Sequence, residues 1–136
     1  MPDIVETCLD VGGASRPTTK NGKSVPASDG VSLVDTLAGS GKPIHDKPIF
    51  IEHEGNRIAR DGRWKLVSFY DKPWELYDME SDRSESEDLA RARPEIVDRL
   101  EKAYGQWAER ASVVPWKTAV EFNVYQVLRN KQAAAN

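Results

Sequence analysis

Between Lys47 and Asp78 apolar and polar residues alternate with the period of a strand, and no other stretch restricts the fold as tightly. Ile49 and Ile51 alternate with Phe50 and Glu52, and Trp64, Leu66, Ser68 and Tyr70 alternate with Lys65, Val67 and Phe69. Bulk falls on both sides of each run, so both faces of the resulting sheet have something to bury. Asp61-Gly62 lies between two runs and fits a two-residue hairpin, because its glycine accepts the positive φ of a primed turn. Asp71-Lys72-Pro73 makes a second turn, leading into Trp74 to Met79. The arithmetic predicts an antiparallel sheet of about four strands.

A sheet of that size needs a cover, and one follows it. Pro94 stands at a first helical position, and Ile96, Val97, Leu100, Tyr104, Trp107, Ala108 and Ala111 then share one face, with Glu95, Asp98, Arg99, Glu101, Lys102 and Glu109 largely opposite. Just before it, Ser84-Glu85-Ser86-Glu87 has capping-box spacing and predicts a short helix. After Val113-Val114-Pro115-Trp116 the run Val120 to Leu128 is weakly amphipathic, so the tail 117–136 has helical potential and should fray at its Ala-rich end. Ahead of the sheet, Ile4, Val5 and Leu9 suit a short docking helix stopped by Gly12-Gly13. Ala14 to Gly30 has loop composition, and Ser32 to Leu37 suits one or two helical turns. The predicted class is α+β: a small antiparallel sheet packed by one long helix, with an irregular amino-terminal arm over 1–46.

Composition excludes several partners. The chain has 19 basic and 22 acidic residues, intermixed, and its densest basic positions, Arg57, Arg60, Arg63 and Lys65, alternate with apolar residues along strands; nucleic acid is not an expected partner. No apolar run has the length of a membrane span, so no membrane partner is expected either. Cys8 is the single cysteine, which rules out an intramolecular disulfide or thiolate cluster; it reads as a small buried hydrophobe on the first helix. Met1-Pro-Asp-Ile-Val lacks the regions of a signal peptide; if these residues belong to a periplasmic or secreted parent, its export signal is expected upstream, and the localisation itself is open.

One ordered set of residues carries a resemblance. Val5 to Pro17, then Gly30 to Gly39, then His53-Glu54-Gly55-Asn56-Arg57, Asp61-Gly62, Trp64-Lys65-Leu66, Glu75-Leu76-Tyr77-Asp78 and the acidic Asp82, Glu85, Asp88-Leu89 descent occur in sequence between Ile4 and Trp116. Together they resemble the carboxy-terminal portion of a sulfatase, of the arylsulfatase family and the alkaline phosphatase superfamily. The resemblance implies that 1–46 is a remnant of the linker from a catalytic domain outside this chain and that 47–116 is the carboxy-terminal subdomain. It also implies a parent enzyme that hydrolyses a sulfate ester with a formylglycine and a calcium ion.

That machinery does not map onto these residues. Cys8 is followed by Leu9, Asp10, Val11 and Gly12, without the proline and arginine of the formylglycine motif. Asp78, Asp82 and Asp88 suit turn and helix-start roles better than a calcium loop. No catalytic residue, cofactor site or metal site is therefore assigned here, and the chain alone is expected to be inactive. The candidates for the substrate pocket are His53, which could donate to a leaving-group oxygen, and Glu54 and Asn56, which could bind sugar or aryl hydroxyls, with Gly55 allowing close backbone approach. The competing reading makes them a tight polar turn with His53 capping a strand. Trp64, Trp74, Tyr77 and Trp107 are weighed as a stacking platform and assigned to the core. Two other functions stay open: a non-catalytic carbohydrate-binding or interaction module, and the carboxy-terminal part of a related phosphatase or phosphonate hydrolase.

Overall fold

The computed structural model describes residues 2–41 and 44–134; the expected fraying at 135 and 136 lies outside them. Two compact units are present, Met1–Asp46 and Lys47–Asn136. The first holds helix α1 (Pro2–Val11), a hairpin of β1 (Thr19–Lys20) and β2 (Lys23–Ser24), and the single turn α2 (Val34–Leu37). The second holds β3 (Ile49–His53), β4 (Asn56–Asp61), β5 (Trp64–Ser68), β6 (Glu75–Asp78), α3 (Pro94–Arg110) and α4 (Trp116–Ala134). The class is α+β, with the long helix α3 against a four-stranded antiparallel sheet of order β3-β4-β5-β6.

Register explains which face α3 covers. Phe50 pairs with Ala59, Ala59 with Leu66, and Leu66 with Leu76, so one row of apolar side chains crosses all four strands on one face. Leu100 and Tyr104 of α3 close over that row, and Ala59, Leu66, Leu76 and Leu100 are completely buried. Burial of each leucine contributes roughly 2 kcal/mol or more. Phe50 stacks on Trp107 at 5.5 Å between centroids, and Trp74 meets Tyr104 edge-on at 5.6 Å. Trp64, Trp74 and Trp107 thus fill the core as expected, whereas Tyr77 is buried on the sheet's other side. Ala111, placed on the packing face by periodicity, is exposed because α3 ends one residue before it.

The two sheet edges are finished differently. Along β6, the Leu89 amide donates to the Leu76 carbonyl at 2.8 Å and the Asp88 carboxylate accepts the Leu76 amide at 3.0 Å, which occupies that edge. The edge strand β3 instead presents Ile49 and Ile51, 38% and 50% exposed, on the face away from α3.

Four local expectations need correction. The β4–β5 loop is Gly62-Arg63, not Asp61-Gly62, because Asp61 pairs with Trp64; glycine takes its positive φ of 54° as the first loop residue. Ser84 opens no helix. The Asp82 carboxylate takes the amides of Ser86 and Glu87 at 2.8 and 2.9 Å, so an aspartate two residues earlier satisfies the donors in a loop. The segment Ala14 to Gly30 is not all loop, since Asn21-Gly22 turns the β1–β2 hairpin. Cys8 is exposed, not buried: α1 turns Asp3 and Thr7 toward the backbone of Val31 and Leu33, and this leaves Cys8 on another face. Among the described residues no helix is long and apolar enough to cross a membrane.

Candidate functional site

The candidate pocket residues come together at one end of the sheet, in the turn between β3 and β4. His53 pairs with Asn56, and Glu54 and Gly55 form the loop with φ of 53° and 82°, a primed turn of the kind that matches strand twist. A glutamate with positive φ is strained, and neighbouring groups hold it there. Glu52 Oε1 accepts the Gly55 amide at 2.8 Å, and Asn56 Nδ2 donates to the His53 carbonyl at 2.9 Å. Asn56 Oδ1 accepts the Tyr70 amide at 3.0 Å and so ties the turn to the β5–β6 loop.

The candidates therefore do different things. Both ends of the Asn56 amide are engaged in bracing, whereas the His53 and Glu54 side chains are exposed and, among the described residues, make no hydrogen bond or ion pair. Gly55 is required for space as well as for φ. A Cβ there would stand 2.5 Å from Cδ2 of Tyr70 and 3.1 Å from Cβ of Trp116.

Next to the turn lies Arg57, which the sequence places only among basic residues that alternate with apolar ones along strands. The Arg57 guanidinium sits 4.3 Å from the Trp74 ring centroid and donates through Nη2 to Ser68 Oγ at 2.8 Å. The Ser68 hydroxyl, itself buried, donates to the Lys72 carbonyl at 2.7 Å and ties down the β5–β6 loop. Trp74 Nε1 is buried without a hydrogen-bond partner. The available signal was register: Arg57, Ser68 and Trp74 share the parity of Ala59, Leu66 and Leu76, the row that packs on α3.

Titrating groups elsewhere in the unit serve structure. The Arg63 guanidinium beside Asp78 holds that carboxyl down at about 2. Burial, with the Glu75 carboxylate accepting its hydroxyl, pushes Tyr77 up to about 12. Asp88 bridges the amides of Leu76 and Ala90. Among the described residues no three of His, Cys, Asp and Glu converge as metal ligands would.

The chain matches no protein-family model. It is 32% identical over 105 residues to an uncharacterized sulfatase of Schizosaccharomyces pombe, a match covering 72% of the chain and 19% of that protein. A structure solved in complex with k-i-k-neocarrahexaose superposes with a TM-score of 0.61 at 21% identity, over 78% of the chain and 23% of its own length. A second, solved in complex with its substrate D-glucosamine-2-N,6-O-disulfate, gives a TM-score of 0.59 at 22% identity, over 84% of the chain and 25% of its own. The chain thus spans 19% to 25% of the length of these relatives.

Proposed function

Since the chain belongs to the sulfatase family, whose members it matches as a carboxy-terminal portion, we propose that it closes the leaving-group side of a sulfate-ester pocket built mainly by a catalytic domain outside these residues. The carrying observation is the β3–β4 turn: Glu52, Gly55 and Asn56 fix its backbone, while the His53 and Glu54 side chains are exposed on its surface. A turn fixed in this way presents its side chains at low entropic cost. His53 would donate to the leaving-group oxygen and Glu54 would accept from a ring hydroxyl, while Asn56 positions both. A saccharide leaving group is supported by the k-i-k-neocarrahexaose and the D-glucosamine-2-N,6-O-disulfate bound by two structures of similar fold.

Calcium and formylglycine do not fit the residues of this chain. Cys8 lacks the motif's proline and arginine, and among the described residues no three of His, Cys, Asp and Glu are grouped as a metal site would need. Both groups belong, in this reading, to the catalytic domain, and the chain alone is inactive. Exposed apolar residues support a missing intramolecular partner over a free-standing module. Ile4, Val5 and Val11 on α1, and separately Ile49 and Ile51 on β3, lie open to solvent.

The test is hydrolysis of p-nitrophenyl sulfate by the purified chain with calcium present, beside a complete sulfatase. No turnover above the buffer blank is expected. Sustained calcium-dependent turnover would overturn the reading, because it would require a nucleophile within these residues.

A further inference from the structure

The β3–β4 turn carries an exposed ring as well as exposed polar groups. Tyr70 keeps 49% of its surface open, yet it is not a free side chain. Its ring lies against Gly55, where a Cβ would stand 2.5 Å from Cδ2 and 3.1 Å from Cγ. Cβ of Trp116 stands 3.1 Å from the same position. The Tyr70 amide is held by Asn56 Oδ1 at 3.0 Å, and the Ser68 hydroxyl holds the loop two residues further on through the Lys72 carbonyl. Phe69 beside it is 58% exposed. The turn thus orders a large ring that the core does not need.

We propose that Tyr70 is a stacking surface for the pyranose ring of a sulfated saccharide, next to the polar groups of the turn. The inference rests on the pocket assignment above and adds the residue that recognises the leaving group's ring. Close to it in the chain, His53 and Glu54, just ahead of Gly55, and Lys72, two residues past Tyr70, have exposed side chains, and among the described residues these make no hydrogen bond or ion pair. An exposed aromatic ring on a loop that also carries exposed polar side chains suits a ligand that is apolar on its ring face and polar or anionic at its edge. Because the ring is held before binding, little rotamer freedom is lost when a sugar stacks on it. Sequence periodicity counts Tyr70 with Trp64, Leu66 and Ser68 on one strand, but β5 ends at Ser68 and Tyr70 lies in the loop beyond it.

The experiment is a titration of the isotope-labelled 136-residue chain with D-glucosamine-2-N,6-O-disulfate, followed by amide and indole chemical shifts, in parallel with inorganic sulfate. Saturable shifts are expected at Gly55, Asn56, Tyr70 and the Trp116 indole with the saccharide and not with sulfate. Tyr70→Ala weakens binding by roughly three- to tenfold, the range for loss of one aromatic contact. Tyr70→Phe, which keeps the ring and guards against misfolding, stays within about twofold, and Phe122→Ala, an exposed aromatic on α4, leaves binding unchanged. The proposal is overturned if inorganic sulfate gives the same shifts, if Tyr70→Ala binds as the parent chain does, or if no saturable shift occurs. Turnover of p-nitrophenyl sulfate by the chain would defeat the fragment reading on separate grounds and would leave these shifts in place.

Discussion

The two units of this chain hold themselves together by different means. Every buried side chain belongs to the second unit, where Ala59, Leu66, Leu76, Leu100 and Tyr104 form one cluster between sheet and helix. Among the described residues of the first unit none is buried, and its order comes from polar contacts. Asp3 and Thr7 on α1 accept the amides of Val31 and Leu33 at 3.0 Å each, and His45 Nε2 lies 3.1 Å from Asp3 Oδ2. Such hydrogen bonds each contribute only about 1 kcal/mol net, since water competes for the same groups. A burial-driven unit has a core of its own, whereas a unit held by part-buried hydrogen bonds without a buried apolar cluster has little to hold it when separated.

The comparison can be broken at its strongest point first. Leu100→Ala should lower unfolding stability of the second unit by about 2–5 kcal/mol, because the cavity lies under a helix that cannot collapse onto the sheet without tilting. Denaturant melts would show this directly, and a loss below about 1 kcal/mol would mean that the core is not what holds the unit.

Gly55→Ala comes next, at about 1–3 kcal/mol, since the new methyl meets both an unfavourable φ and the Tyr70 ring. Its signature is a displaced Tyr70, visible as a change in that ring's near-ultraviolet dichroism. An unchanged signal would show that Tyr70 is not seated on the glycine.

A smaller effect is expected from acid. Asp78 has its pKa depressed to about 2 by Arg63, so the stability it contributes is fully present above the unfolded value of 3.8 and is lost as pH falls through about 2. Asp78→Asn should therefore flatten the acid limb of the stability curve within that window and leave its shape at neutral pH unaltered. A variant whose acid limb matches the parent's would remove Asp78 from the account.

The smallest expected change sharpens the contrast between the units. Thr7→Val removes a hydroxyl that accepts the Leu33 amide and donates to the Asp3 carbonyl. It should speed hydrogen exchange around Leu33 with no shift, beyond about 0.5 kcal/mol, in the melt of the second unit. A shift in that melt would show that the two units unfold together.

Much of the second unit was legible before its coordinates, for reasons that can be named. Alternation fixed which residues of β3 to β5 share a face, and Pro94 with the Ile96-to-Ala108 stripe fixed where the covering helix begins and which side it buries. Local signals failed where two groups competed for the same donors. Ser84 to Glu87 has the letters of a capping box, but the Asp82 carboxylate reaches those amides first and holds them in a loop. Asn21-Gly22 was a hairpin signal passed over because polar composition dominated the segment around it.

The candidate site divides the same way. The polar turn that carries the candidates was readable in His53 to Asn56, because a glycine between two strand runs has few other uses. The distribution of contacts was not readable: Asn56 is engaged in bracing, His53 and Glu54 are exposed, and Tyr70 and Trp116 arrive from other elements. By itself, then, the sequence determined the strand period, the helix that covers the sheet and the family likeness, because each is written in residues near one another along the chain. Tertiary structure alone decided which ring lies on Gly55 and which cation lies on Trp74, because those contacts join residues more than ten positions apart and depend on how strand register and helix packing close in space.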